Sequence, residues 1–127
     1  MIKSLLFVGI GSFIGGVLRY SISTFVKGAA GNAFPWGTLA VNLLGCFLFG
    51  VVYALFAKYS THSSIVYLLL TTGVLGGFTT FSAFAHESVQ MLQGGNLLGF
   101  ISYVGASLVA GLLLVAFGYW SVGCLAR

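Results

Sequence analysis

The sequence predicts an all-α membrane protein with four transmembrane helices per subunit, the third broken at its centre. Three observations carry that reading. Of 127 residues, 59% are hydrophobic and only 5% are charged, whereas a soluble domain carries roughly a quarter charged residues. Mean hydropathy is +1.10. A helix needs about 20 apolar residues to cross a hydrocarbon layer of roughly 30 Å, so four spans use about 80 positions and leave no stretch polar enough for a second, soluble domain. Residues 1–127 therefore read as one four-helix transmembrane domain, whose function sits inside the bilayer or requires more than one copy of the chain.

The first span covers about residues 2–26. Met1-Ile2-Lys3 and the apolar run behind it resemble the start of a secretory signal. The hydrophobic pattern continues through Leu18, Tyr20, Ile22 and Phe25, however, and no small-x-small cleavage site closes a short core, so this is the first membrane helix. Lys27 and the turn-prone Gly28-Ala29-Ala30-Gly31-Asn32 mark its end. Pro35 precedes the second span, about residues 36–57; a missing N–H is harmless at a helix start, and Trp36 suits the membrane interface. Lys58-Tyr59-Ser60-Thr61-His62-Ser63-Ser64 is a plainly polar loop in which His62 is solvated.

The third span, about residues 65–92, carries Thr71-Thr72-Gly73, Gly76-Gly77 and Thr79-Thr80 at its centre. Each of two consecutive glycines costs about 1 kcal/mol of helix propensity, and the β-branched threonines add to that. The helix breaks here. In lipid a break frees carbonyls and amides, which is tolerated only where protein buries them or they line a site. Freed carbonyls suit a small cation, as in broken transporter helices; the alternative is a packing kink without a ligand. Gln93-Gly94-Gly95-Asn96 turns the chain into the last span, about residues 97–124, closed by Arg127.

Four spans put both termini on one side. Lys3, Lys58 and Arg127 then oppose Lys27 and, one or two turns inside the first span, Arg19. Three against one or two orients the chain weakly, which allows dual orientation in the membrane. The net charge of +4 comes from cations spread singly, not gathered on one face, so nucleic acid is not a partner. Cys46 and Cys124 lie far apart in apolar runs and act as small packing residues. Gly11 and Gly15, Gly73 and Gly77, and Ser107 and Gly111 stand at the spacing that lets membrane helices approach closely.

An enzyme reading fares badly. General acid–base chemistry needs titratable groups held together, and the chain has one carboxylate, Glu87, and two histidines. His86 adjoins Glu87 but points about 100° away on a helix. Phe81 and Phe84, at i and i+3, form a row that Glu87 continues. Such a stripe is either lipid contact or core, or else its positive ring edges face an anion. In the second span Thr38, Asn42, Gly45 and Phe49 share a face, and an unpaired buried amide costs several kcal/mol, so Asn42 needs a partner, a water or a ligand. Tyr103, Ser107 and Gly111 share a face in the fourth. Arg19 faces an aqueous cavity or partner, or snorkels to the interface.

These residues resemble the Fluc (CrcB) fluoride channels over essentially the whole chain. The match runs through Gly15-Gly16-x-x-Arg19-Tyr20, Gly37-Thr38-Leu39-x-Val41-Asn42-x-x-Gly45 and Gly76-Gly77-Phe78-Thr79-Thr80-Phe81-Ser82-x-Phe84, followed by Glu87. The resemblance implies an antiparallel dual-topology homodimer in a bacterial inner membrane, crossing it several times, with two fluoride pores. It also implies one central structural sodium ion, held by backbone carbonyls at the positions of Gly76 and Thr79 in both subunits. By the same resemblance Phe81, Phe84 and Asn42 line the pore, Arg19 lies in the vestibule, and Thr38, Glu87, Tyr103 and Ser107 form a polar track. One departure is Ala83, where many members have a hydroxyl residue.

The chemistry of fluoride agrees. A small, tightly hydrated anion needs many donors in exchange for its water, while a full positive charge along the path would trap it. The implied function is passive export of cytoplasmic fluoride, with membrane lipid and a second copy as partners. The rival is a proton-coupled small multidrug-type exporter, which this chain resembles in size only, since that family relies on an acid in the first span and the sole acid here is Glu87. A non-transporting assembly subunit is supported only by the packing glycines.

Overall fold

The structure, a computed structural model, describes residues 1–59 and 64–125; His62 and Arg127 lie outside the described residues. Four apolar helical segments are each long enough to cross a membrane: Ile2–Ala30, Trp36–Lys58, Ile65–Gln93 and Leu97–Leu125. The protein is thus an all-α, multi-pass membrane protein. Helix α1 (Ile2–Ala30) runs about a turn beyond its expected end, because Gly28-Ala29-Ala30 stay helical and the chain leaves the helix at Gly31, whose φ is +83°. Glycine takes that conformation without steric cost. Helix α2 (Trp36–Lys58) begins at Pro35, whose carbonyl accepts from Leu39 N at 3.1 Å.

The third segment is irregular. Helix α3 (Ile65–Leu68) passes into a π-helical stretch (Leu69–Leu75) and a short α4 (Gly76–Phe78); helix α5 (Phe81–Gln93) follows. Thr79 and Thr80 between them are extended, at φ/ψ of −88°/158° and −149°/115°. Gly76 and Gly77 themselves stay helical, and the departure falls on the β-branched pair after them. Branching at Cβ favours extended backbone, and Thr80 caps α5 by accepting from Ala83 N at 3.2 Å. Gly77 serves packing: a Cβ there would stand 2.6 Å from the Ser12 carbonyl oxygen.

Helix α6 (Leu97–Leu125) packs along α2, and α1 packs against the π-helical stretch, α2 and α4. Close backbone approach makes both contacts. Gly11 lies on Gly73, and a Cβ on Gly15 would collide with the Val74 carbonyl. Where α2 crosses α6, Gly50 meets the Val115 carbonyl and Gly118 meets the Phe47 carbonyl. A Cβ on Gly111 would instead stand 3.5 Å from the Cys46 sulfur, an ordinary contact. The fourth-span approach therefore sits nearer the helix end than Ser107 and Gly111 suggest. Gly15→Val is expected to cost several kcal/mol by overpacking backbone against backbone, read as a lower unfolding temperature in detergent.

Few large apolar side chains are buried. Leu39, Val41, Leu75, Phe78 and Tyr103 form the interior, and most others face outward, as a helix bundle in lipid permits. The first half of the third segment lies against α1 while α5 folds toward α6. An open groove is left between them, floored by α2.

Candidate functional site

The extended threonines set the geometry. Asn42, on the face of α2 that points at the interruption, pairs with Thr80 twice: its Nδ2 donates to the Thr80 carbonyl at 3.0 Å, and its Oδ1 accepts from Thr80 N at 2.8 Å. A side-chain amide offers one acceptor and two donors, so it satisfies both backbone groups of one extended residue and keeps a second N–H for another partner.

The extended threonines release two carbonyls. In an unbroken helix Thr80 N–H would return to the Gly76 carbonyl and Ala83 N–H to that of Thr79. The first donates to Asn42 and the second to the Thr80 hydroxyl. The oxygens of Gly76 and Thr79 are thereby left without their helical donors, a set of hard neutral ligands fit for a small cation. The Thr79 hydroxyl does not compete for them, since it donates to the Leu75 carbonyl at 3.0 Å. Among the described residues, no group of three or more His, Cys, Asp or Glu offers an alternative metal site.

Gly76, Thr79, Thr80 and Asn42 line a groove of about 360 Å³ together with Thr71, Phe81, Phe84, Cys46 and Ser107, among others. The Phe81 ring is 78% exposed in the single chain, and it packs on Phe84 with centroids 5.7 Å apart at 48°. The Ser107 hydroxyl is buried in this wall without a hydrogen-bond partner. A buried hydroxyl left unsatisfied costs about 1–3 kcal/mol, which an occupant of the groove would recover. Among the described residues that line the groove, none is charged. The groove offers partial positive charge only, from amide, hydroxyl and ring edge, suited to a small anion that must also leave.

Thr38 does not join Asn42 in the groove. Its hydroxyl donates to Glu87 Oε1 at 2.7 Å, and the Tyr103 hydroxyl donates to Glu87 Oε2 at 2.6 Å. The carboxylate is held at both oxygens by α2 and α6. Tyr103 is completely buried, and its ring packs on Phe84 at 5.1 Å with a tilt of 56°, which ties this cluster to the groove. Arg19 lines a separate cavity of about 510 Å³ with Ser23, Thr38, Thr80, Ser82 and Ala83. His86 is exposed and has no part in the Glu87 cluster. Cys46 and Cys124 are unpaired thiols.

The structure thus gathers Asn42, Phe81, Phe84, Ser107, Gly76 and Thr79 around one groove, Thr38, Glu87 and Tyr103 in an adjoining cluster, and Arg19 in a second cavity. Sequence reasoning missed Thr80 as the partner of Asn42, and Phe34, whose ring stands edge-on to Tyr103 at 5.5 Å and 82°. The Thr80 pairing was discoverable in principle, since a buried amide beside a helix interruption has few other partners. Nothing local signals the Phe34 contact.

Comparison with known proteins places relatives beside these features. Residues 6–119 match the family described as CrcB-like protein, Camphor Resistance (CrcB). A protein of Phocaeicola vulgatus named Fluoride-specific ion channel FluC is 45% identical over 118 residues, covering 93% of this chain and 97% of its own length. Proteins of the same name from Leptospira interrogans and Thermus thermophilus are 41% and 42% identical, over 94% and 98% of this chain and 94% and 97% of their own lengths.

Proposed function

The chain belongs to the CrcB family, and on that premise we propose that it is a fluoride-selective passive channel that exports cytoplasmic fluoride down its electrochemical gradient across a bacterial inner membrane. The observation that carries the reading is the uncharged groove, where Asn42, Ser107, Phe81 and Phe84 present donors and ring edges to one space. Fluoride gives up its water only where several donors replace it, and it escapes only where none is a fixed charge. Arg19 in the adjoining cavity attracts the anion to a vestibule without standing in the groove. Thr38, Glu87, Tyr103 and Ser107 continue the polar route.

The working unit is an antiparallel dual-topology homodimer with two pores. Support comes from the weak charge bias, from the open flank of the groove and from Phe81, too exposed for a ring in a finished conduit. A second copy seated on that flank would enclose it. The break in the third span would then meet its counterpart at the midplane, and the Gly76 and Thr79 carbonyls of both subunits would hold a structural sodium ion. That cation would make the interior more favourable to an anion.

The rival proton-coupled multidrug-type exporter finds less support. Its carboxylate must be free to bind the transported molecule, whereas both Glu87 oxygens already accept hydrogen bonds, from Thr38 and Tyr103. Purified protein in liposomes, with efflux driven by a potassium-ionophore voltage, tests the proposal. Fluoride is expected to leave far faster than chloride; fluoride efflux no faster than from protein-free vesicles would reject the channel.

A further inference from the structure

A cavity of about 310 Å³ lies beneath the α1–α2 turn and shares only Glu87 with the polar route assigned above. Lys27, Asn32, Phe34, Glu87, Gln90 and Asn96 are among its lining residues. We propose that this cavity is the second mouth of the anion path, in which Lys27 concentrates a small halide-sized anion and the Phe34 ring forms the threshold to the interior.

Three observations place it there. Glu87 lies in the cavity lining, yet its hydrogen-bond partner Thr38 lines the Arg19 cavity, so the Thr38–Glu87 bond is a shared wall between the two. Next, a continuous aromatic ladder joins the cavity to the groove. Phe34 meets Tyr103 at 5.5 Å, Tyr103 meets Phe84 at 5.1 Å, and Phe84 meets Phe81 at 5.7 Å. Phe34 thus extends, from outside the four spans, the row of rings already assigned to the ion. Phe34 also lines the cavity, so its ring stands at the cavity end of that row, where the positive edge of a phenyl ring suits an anion. Finally, the cavity holds its own exposed cation, Lys27, beside the Asn32, Gln90 and Asn96 amides. A cation at a mouth raises the local anion concentration and partly offsets the Glu87 carboxylate behind it.

The backbone fixes Phe34 in this place. A residue before proline is steered away from helix, so Phe34, followed by Pro35, cannot simply extend α2. The start of α2 is pressed onto α1 at Gly37, where a Cβ would stand 2.6 Å from the Ser23 carbonyl oxygen. The ring also rests on Trp36, with centroids 4.6 Å apart.

This inference rests on the anion-channel reading, and wild-type protein assayed in parallel separates the two failures. Fluoride efflux from liposomes is measured at low ionic strength, about 0.03 M, and again with impermeant salt near 0.5 M, where the screening length falls from about 18 Å to about 4 Å. Lys27→Gln is expected to lower efflux roughly threefold at low ionic strength and to match wild type at high. A purely structural lysine would give no such salt dependence. Phe34→Leu, which keeps apolar volume but no ring edge, is expected to slow efflux at least about fivefold while Phe34→Tyr conducts normally. Wild-type efflux in Lys27→Gln at low ionic strength, or a loss equal in both salts, would overturn the mouth. Wild-type efflux in Phe34→Leu would overturn the threshold, and absence of efflux from wild type would reject the channel itself.

Discussion

Phe81→Ile and Phe84→Ile are each expected to cut fluoride efflux by up to about tenfold while leaving assembly of the protein intact. The two rings touch each other, and Phe84 also touches Tyr103, but the bundle does not depend on them: Phe81 is 78% exposed and neither ring belongs to the buried interior. Isoleucine keeps apolar volume and removes the ring quadrupole. An edge contact is worth about 0.5–1.5 kcal/mol, and a loss of about 1.4 kcal/mol at the barrier is tenfold in rate. The check is fluoride-electrode efflux beside gel filtration of the same preparations. Efflux at the wild-type rate in both variants would remove the rings from the ion path.

Asn42→Ala should do more damage, to structure as well as flux. Thr80 would lose both partners of its extended backbone, the donor at 3.0 Å and the acceptor at 2.8 Å. Each polar group left unsatisfied in the interior costs about 1–3 kcal/mol. Fluoride efflux is expected to fall to background, and amide exchange at Thr80 to rise by about an order of magnitude or more as the segment loosens. The two readouts separate the roles: retained efflux with fast exchange would make Asn42 a packing residue. Asn42→Asp keeps the acceptor for Thr80 N–H but places a carboxylate beside an anion path, so it should preserve protection better than Asn42→Ala while still failing to conduct.

Much of this fold was legible from hydropathy. Four spans of apolar residues, with turns at Gly31 and at Gly94-Gly95, follow from composition and the needs of backbone in lipid. The third segment reads from sequence as broken at its centre; in the structure its extended residues are Thr79 and Thr80. Propensity pointed at Gly76-Gly77 and at Thr79-Thr80 alike, yet both glycines stay helical, Gly77 packed on Ser12, and the extended conformation falls to the threonines. Helix propensity is a local quantity, whereas this contact is decided by a residue more than sixty positions away.

The candidate site divides along the same line. Asn42, Phe81 and Phe84 could be singled out because a buried amide and an aromatic row are informative in a span. Thr38 shows the limit: at i−4 from Asn42 it shares the helix face by spacing, but its hydroxyl turns to Glu87 in a neighbouring cluster. Phe34 lies in a turn, where periodicity says nothing, and only the fold of α1 onto α2 at Gly37 brings it to Tyr103.

The most direct test is the reversal potential of purified protein in a planar bilayer bathed by unequal fluoride, with chloride equal on both sides, recorded with and without a pH gradient. A passive fluoride channel reverses at the fluoride equilibrium potential and holds that value when the pH gradient is imposed. Current that reverses at the chloride potential, or that follows the proton gradient, would contradict it.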